Sequence, residues 1–476
     1  MSKLIFLVAA LTVVTAHGAA KQSASPDSAA QDLQTGMVIG KVVCAAQPGQ
    51  SYALYIPSHY TREKRWPIVY VFDPGARGRL AVELMKDAAE RYGYIVAGSN
   101  NSHNGPTKQE LEAAQAMSQD TSARLAIDNK RVYFAGLSGG ARFAASLAQG
   151  CKCAAGVLLN SAGFAPFSPP ARDDTFSVFA TAGSTDFNYR EVVDLDAKLR
   201  TLHYVHAFRG FEGPHEWAPA SVIEEAFAWF RLISMKEWRE ARDLAFVKDQ
   251  AAEAENRAKA LQLAGDAYVS WKEYRQAAET FEGLCDTLRF RESVAALEKE
   301  KAVREGAKGE QREFEEQSRL SADISSGLAA LREDSPDSSK LRSEIEMQIS
   351  RLRSRADHEK NPRELRVVKR ALGGVLVEAM EAGQERLEAK DNSLARTYFE
   401  LAATADPDSV WALGELAATR ALAGDRRGAF EALGRAREKS KDFGAFAEWL
   451  KEEPAFAKLR DTPEFRALLA PAQNPH

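Results

Sequence analysis

Cysteine is scarce: Cys44, Cys151, Cys153 and Cys285 are the four present. They allow three complete pairings, and sequence does not choose among them. No histidine or second cysteine pair stands at metal-ligand spacing beside Cys151 and Cys153, so no metal is expected. The plain reading is small buried hydrophobes with at most one bridge. A surplus of positive charge is also missing. Sixty-three Lys and Arg stand against 67 Asp and Glu, a net charge of -4, so nucleic acid is not an expected partner. Long apolar runs are missing after the N-terminus. The first run, Leu4 to Val14 behind Lys3, is too short to span a membrane and ends in small residues. It predicts a secretory signal peptide over 1–20, with Ala16, Gly18 and Ala20 all open as cleavage points and no cysteine there for a lipid anchor. Export to the periplasm or medium follows, with no membrane span after the signal is removed.

The remaining composition, 45% apolar and 27% charged, is that of a soluble globular chain long enough for two or three domains. Residues 21–36 form a small, polar leader. From 37 to 234, strand and helix patterns alternate. Strands are expected at Val38–Cys44, Ser51–Ile56, Ile68–Phe72, Tyr94–Ser99, Val132–Leu137, Ala155–Leu159, Ser177–Ala182 and Tyr204–Phe208. Helices are expected at Leu80–Arg91, Lys108–Leu125, Ala141–Gln149, Arg190–Leu202 and Ala218–Leu232. Short continuous apolar strands between helices predict an α/β fold, a mostly parallel sheet with helices on both faces.

Strands then cease. Residues 235–476 are helical in pattern and partly self-similar. Gly265, Tyr268, Ala277 and Phe281 form one set, Gly383, Ala395, Phe399, Ala402 and Pro407 a second, and Leu413, Ala429, Leu433 and Ala436 a third. The step from Ala395 to Ala429 equals a 34-residue period. Residues 290–375 break that period, and either a divergent repeat or longer charged helices such as Glu344–Arg355 fits them. Pro454 to Leu469 reads as an amphipathic cap.

Gly136-Leu137-Ser138-Gly139-Gly140 lies between a strand and an Ala-rich helix. By composition alone G-x-S-x-G arises in roughly one chain in ten of this length, but strand-before and helix-after is the setting of a nucleophile elbow. Such a serine needs an acid and a base following in the chain. Of the histidines after Ser138, His203 and His206 sit at or in a strand candidate, and His358 and His476 fall in the helical half and at the chain end. His215 lies in a glycine-punctuated loop after the last strand, where a general base reaches the carboxyl ends of the strands. Asp186, in the turn after Ser177–Ala182, is the best placed acid. Asp173 and Asp174 precede that strand, and Asp194 and Asp196 fall within a helix. The oxyanion hole takes the Gly139 N–H and one from the loop Asp73-Pro74-Gly75-Ala76-Arg77-Gly78. Pro74 has no N–H, so Gly75 comes first and Ala76 second. Trp217 either lines the substrate pocket or packs as a core or rim residue.

These residues, with Tyr55-Ile56-Pro57 and Gly213-Pro214-His215-Glu216-Trp217, resemble the α/β-hydrolase fold over Tyr52–Leu232. Within it they are similar to secreted esterases of the polyhydroxybutyrate-depolymerase and feruloyl-esterase type. The resemblance implies a Ser138–Asp186–His215 triad, no cofactor and an ester substrate. The absence of a large lid between Ser138 and Asp186 suits a bulky or polymeric ester. One departure stands out. Relatives carry His-Gly where this chain has Asp73-Pro74, and a carboxylate there opposes an oxyanion unless Arg77 or hydrogen bonds hold it. The helical half resembles tetratricopeptide-repeat proteins, which bind peptides or protein partners. A serine peptidase shares the fold and triad, and a non-catalytic scaffold is the reading from another class.

Overall fold

The computed structural model describes residues 33–105, 107–331, 338–440 and 443–470. The expected signal peptide and most of the leader lie outside them. Two compact units divide between Gly309 and Glu310. The change from strands to helices near 234 therefore falls inside the first unit.

In the first unit eight strands make one sheet, ordered β1-β2-β4-β3-β5-β6-β7-β8. They are β1 (Val38–Val43), β2 (Ser51–Tyr55), β3 (Trp66–Phe72), β4 (Ile95–Ser99), β5 (Ile127–Leu137), β6 (Ala154–Asn160), β7 (Ser177–Gly183) and β8 (His206–Phe211). β2 runs antiparallel to both its neighbours, and every pairing from β4 to β8 is parallel. The crossovers are α1 (Gly78–Tyr92), α2 (Thr107–Arg124), α3 (Gly139–Cys151) and α4 (Tyr189–Thr201), with α5 (Ala220–Lys236) after β8. β3, β4, β6 and β7 are buried at every position, which is why their sequences are unbroken apolar runs. One face packs on α2, α3 and α4 through Met117, Phe143 and Leu199. The other packs on α1 and α5 through Met85, Phe227 and Phe230. The expected α/β class, with helices on both faces, is the one found. Parallel strands put their carboxyl ends on one edge, so the loops after β3, β5, β6, β7 and β8 all open there.

The same unit continues through α6 (Leu244–Leu263), α7 (Ala267–Phe281) and α8 (Leu288–Leu297) into α9 (Lys301–Ala330), which crosses the division. The second unit adds α10 (Ser338–His358), α11 (Pro362–Glu388), α12 (Asn392–Ala405), α13 (Val410–Leu422), α14 (Arg426–Lys439), α15 (Phe443–Glu452) and α16 (Pro463–Leu469). Asp391, Ser409 and Asp425 cap α12, α13 and α14 with their side chains. In the second motif set a Cβ on Gly383 of α11 would lie 2.5 Å from the Phe399 ring of α12, so glycine permits that close packing. In the third set Leu413, Ala429, Leu433 and Ala436 are all buried across α13 and α14. The first set spans one turn and one helix. Gly265 lies in the turn between α6 and α7 at φ 84°, and Tyr268, Ala277 and Phe281 share the single helix α7. Residues 290–375 hold long helices. Phe456, Phe465 and Leu468 of the C-terminal cap are buried.

Cys151 and Cys153 form a disulfide, while Cys44 and Cys285 are free thiols. Burial, with Asp120 adding, pushes the Cys44 thiol up to about 11. Among the described residues no helix is long and apolar enough to cross a membrane.

Candidate active site

Ser138 stands between β5 and α3 at φ 54° and ψ −122°, a backbone region that a side chain adopts only under strain. The turn is tight enough that a Cβ on Gly136 would come 2.1 Å from the Gly140 carbonyl oxygen, and one on Gly140 2.1 Å from that of Phe72. Substitution at either position forces strand and helix apart. The hydroxyl is thereby raised at the sheet edge, partly exposed.

Asp186 follows β7 and is fully buried. Its Oδ1 accepts from the Asn188 N–H at 2.8 Å and pairs with Nδ1 of His215 at 2.8 Å. Oδ2 is buried without a partner among the described residues. With Nδ1–H directed to the carboxylate, Nε2 of the imidazole is left as the proton acceptor. The Phe187 ring packs against the imidazole, tilted by 35° with centroids 4.4 Å apart. The Asp186 turn and the His215 loop are joined along their backbones. Thr185 donates to the Gly213 carbonyl through its N–H and its hydroxyl, both at 2.9 Å, and Ser184 N–H donates to Phe211 O at 2.7 Å. The rejected histidines lie elsewhere. His206 is buried in β8 with Nε2 3.2 Å from Asp196, and His203 ends the turn after α4.

Asn160, the last residue of β6, links the serine to the histidine loop. Its carbonyl accepts the Ser138 N–H at 2.9 Å. Its side-chain Nδ2 donates to Glu216 O at 2.8 Å and Oδ1 accepts from Ala218 N–H at 2.7 Å. Sequence reasoning missed this residue, although a polar side chain at the carboxyl end of a wholly apolar strand was a usable signal.

The expectation for the loop after β3 needs correction. Gly75 does not present a free N–H, because that group donates to Asp73 Oδ1 at 2.9 Å. The second choice, Ala76, donates its N–H to the Asp73 carbonyl at 3.0 Å. Of the two roles open to Trp217, the structure shows packing. It is buried, and its indole N–H donates to Asp73 Oδ2 at 2.8 Å. The Asp73 carboxylate is wholly buried and also takes two hydrogen bonds from the Arg77 guanidinium, at 2.8 and 3.0 Å. A charged group so buried requires such pairing. Its negative charge is neutralised within the loop, and the same contacts tie the loop after β3 to the loop carrying His215. Trp217 and Asp73 are 144 residues apart, beyond the reach of local pattern.

The loop after β3 has a neighbour from the segment between β4 and α2. Gly75 and His103 form an antiparallel bridge, and Asn104 N–H donates to Pro74 O at 2.9 Å. A Cβ on Gly139 would lie 2.0 Å from Asn104 Oδ1 and 3.0 Å from Nδ2, so the carboxamide rests against the residue that follows Ser138. At the start of α2, burial pushes Glu110 up to about 7, with His103 opposing.

No family model matches the chain, and no curated protein matches it. Solved structures do, at low identity. An esterase from Pyrobaculum calidifontis is 12% identical with a TM-score of 0.35, covering 42% of this chain and 87% of its own. An S-formylglutathione hydrolase from Staphylococcus aureus is 14% identical with a TM-score of 0.34, covering 41% and 98%. A ferulic acid esterase is 16% identical with a TM-score of 0.36, covering 41% and 98%. These are likenesses of fold.

Proposed function

We propose that the protein is an exported serine hydrolase that cleaves carboxylic esters through an acyl-enzyme. The observation that carries this reading is the hydrogen bond of His215 to a buried Asp186, at 2.8 Å, on loops at the sheet edge where Ser138 is held in a strained turn. Ser138 Oγ attacks the ester carbonyl while His215 Nε2 takes its proton. The tetrahedral intermediate then collapses, and His215 returns that proton to the departing alkoxide. Water repeats the sequence on the acyl-enzyme, giving the acid and free Ser138. Asp186 stays ionised throughout, orienting the imidazole and stabilising its cation. The Asp73–Arg77 pair keeps the neighbouring carboxylate from opposing the oxyanion.

The second unit, in this reading, is a tetratricopeptide-like module for a peptide or protein partner. Its support is the second and third motif sets, whose members pack helix against helix at the expected spacing. Export rests on the N-terminal sequence.

The test is hydrolysis of short- and medium-chain p-nitrophenyl esters by wild type and by Ser138→Ala. Turnover is expected in wild type and a loss of at least 10⁴-fold in the variant, with a fluorophosphonate probe labelling wild type alone. A p-nitroanilide series beside the esters decides the peptidase alternative. Equal, negligible rates for both proteins, with no labelling, would end the hydrolase reading and leave the helical unit as the seat of function.

A further inference from the structure

Resting on that reading, we infer that the second donor of the oxyanion hole is the side-chain amide of Asn104, not a backbone N–H of the loop after β3. Acyl transfer needs preorganised donors converging on one developing charge. Gly139 N–H, directly after the nucleophile, is one. Residues 74 to 76 of the loop after β3 offer no free backbone donor. Pro74 has none, Gly75 is held by the Asp73 carboxylate at 2.9 Å, and Ala76 is held by the Asp73 carbonyl at 3.0 Å. Freeing Gly75 would remove a charge-assisted bond from a carboxylate that is entirely buried, a costly rearrangement at each turnover.

Asn104 is the polar side chain that lies beside Gly139. Its backbone is fixed from both sides. The N–H donates to Pro74 O at 2.9 Å, and the carbonyl pairs with His103 Nδ1 at 2.9 Å. The bridge between Gly75 and His103 lays this segment along the loop after β3. Its carboxamide lies so close to Gly139 that a methyl group there would overlap it, which also gives position 139 a reason to be glycine. Among the described residues no hydrogen bond engages that carboxamide, and the residue is exposed. A half-turn about the last side-chain torsion exchanges Oδ1 and Nδ2, and an oxyanion beside Gly139 N–H selects the donor end.

The experiment compares wild type, Ser138→Ala, Asn104→Ala and Asn104→Asp on p-nitrophenyl butyrate, with inhibition by a phenylboronic acid as a tetrahedral analogue. Asn104→Ala is expected to lower kcat about 10² to 10³-fold, with KM within about threefold and boronate affinity reduced alongside kcat. The isosteric Asn104→Asp keeps the loop shape but presents charge, and is expected to lose at least as much. Both substitutions leave the backbone bonds of residue 104 intact, so melting temperatures are expected to be unchanged. If Asn104→Ala keeps wild-type kcat or boronate affinity while Ser138→Ala is inactive, the inference falls and the hydrolase reading stands. If wild type is no better than Ser138→Ala, both fall.

Discussion

Ser138 occupies a conformation that costs about 1–3 kcal/mol, and the site spends buried hydrogen bonds to hold what surrounds it. Asn160 is the residue on which most of that burden rests, since one side chain ties the backbone of the His215 loop while its own carbonyl takes the Ser138 N–H. Replacing it with alanine keeps the carbonyl and removes the side-chain bonds, leaving Glu216 O and Ala218 N–H without those partners. Glu216 O keeps the Ser161 hydroxyl at 3.3 Å, but the buried Ala218 N–H is orphaned, at about 1–3 kcal/mol. The loop carrying the base is then free to shift, and a displacement of an ångström is enough for about a 10²-fold loss. Asn160→Ala is therefore expected to lower kcat about 10 to 100-fold with KM nearly unchanged, and to lower the melting temperature. A loss of stability with kcat intact would make Asn160 a structural residue only.

Between elements, the informative contact is that of β8 with α7. β8 is the last strand of the sheet and pairs on one side with β7. Its other edge would offer unpaired backbone groups for aggregation, and α7 covers it. Gln276 of α7 donates to His206 O at 3.0 Å. Arg209 of β8 pairs with Glu273 of α7 and Glu225 of α5, and Arg257 of α6 reaches Glu225 at 2.9 Å. Arg209→Ala leaves two carboxylates sharing one guanidinium and is expected to cost about 2–4 kcal/mol in urea unfolding. Adding Glu273→Ala should cost less than the sum of the single changes; strict additivity would show that the pair does not interact. This packing also explains where local pattern failed. The last strand was expected at Tyr204–Phe208 and runs from His206 to Phe211, because Arg209 and Gly210 look like a strand end until α7 supplies the partner. Strands buried on both faces, such as β4 and β7, were legible almost to the residue, since burial demands an unbroken apolar run. The strand ends that carry Ser138, Asp186 and His215 were legible because the alternation of elements locates them. The contacts of Asn104 and of Trp217 with the loop after β3 were not, because they depend on pairing between segments far apart in sequence, whereas the Arg77 partner of Asp73 was foreseeable four residues on.

At the scale of the whole molecule, the second unit is expected to lose stability as pH rises, and Glu415 is the reason. It lies on α13, partly buried. Burial, with the Glu453 charge adding and a hydrogen bond from Gln384 opposing, pushes its carboxyl up from 4.5 to about 7. A carboxyl that holds its proton more tightly when folded makes the folded state the richer in protons between those two values. Stability then falls as pH rises from about 4.5 to about 7, and above that the full cost of the buried charge is present. The shift bounds that cost at about 3 kcal/mol, and partial exposure brings it to about 1–3 kcal/mol. Glu415→Gln keeps the shape and removes the ionisation. Calorimetry of the full chain is expected to show the variant more stable than wild type at pH 8, with the gain in the transition of the second unit. At pH 5, where most of the wild-type carboxyl is protonated in the folded protein, the difference is expected to shrink to below about 1 kcal/mol. An equal difference at both pH values would mean that packing, and not ionisation, separates the two side chains.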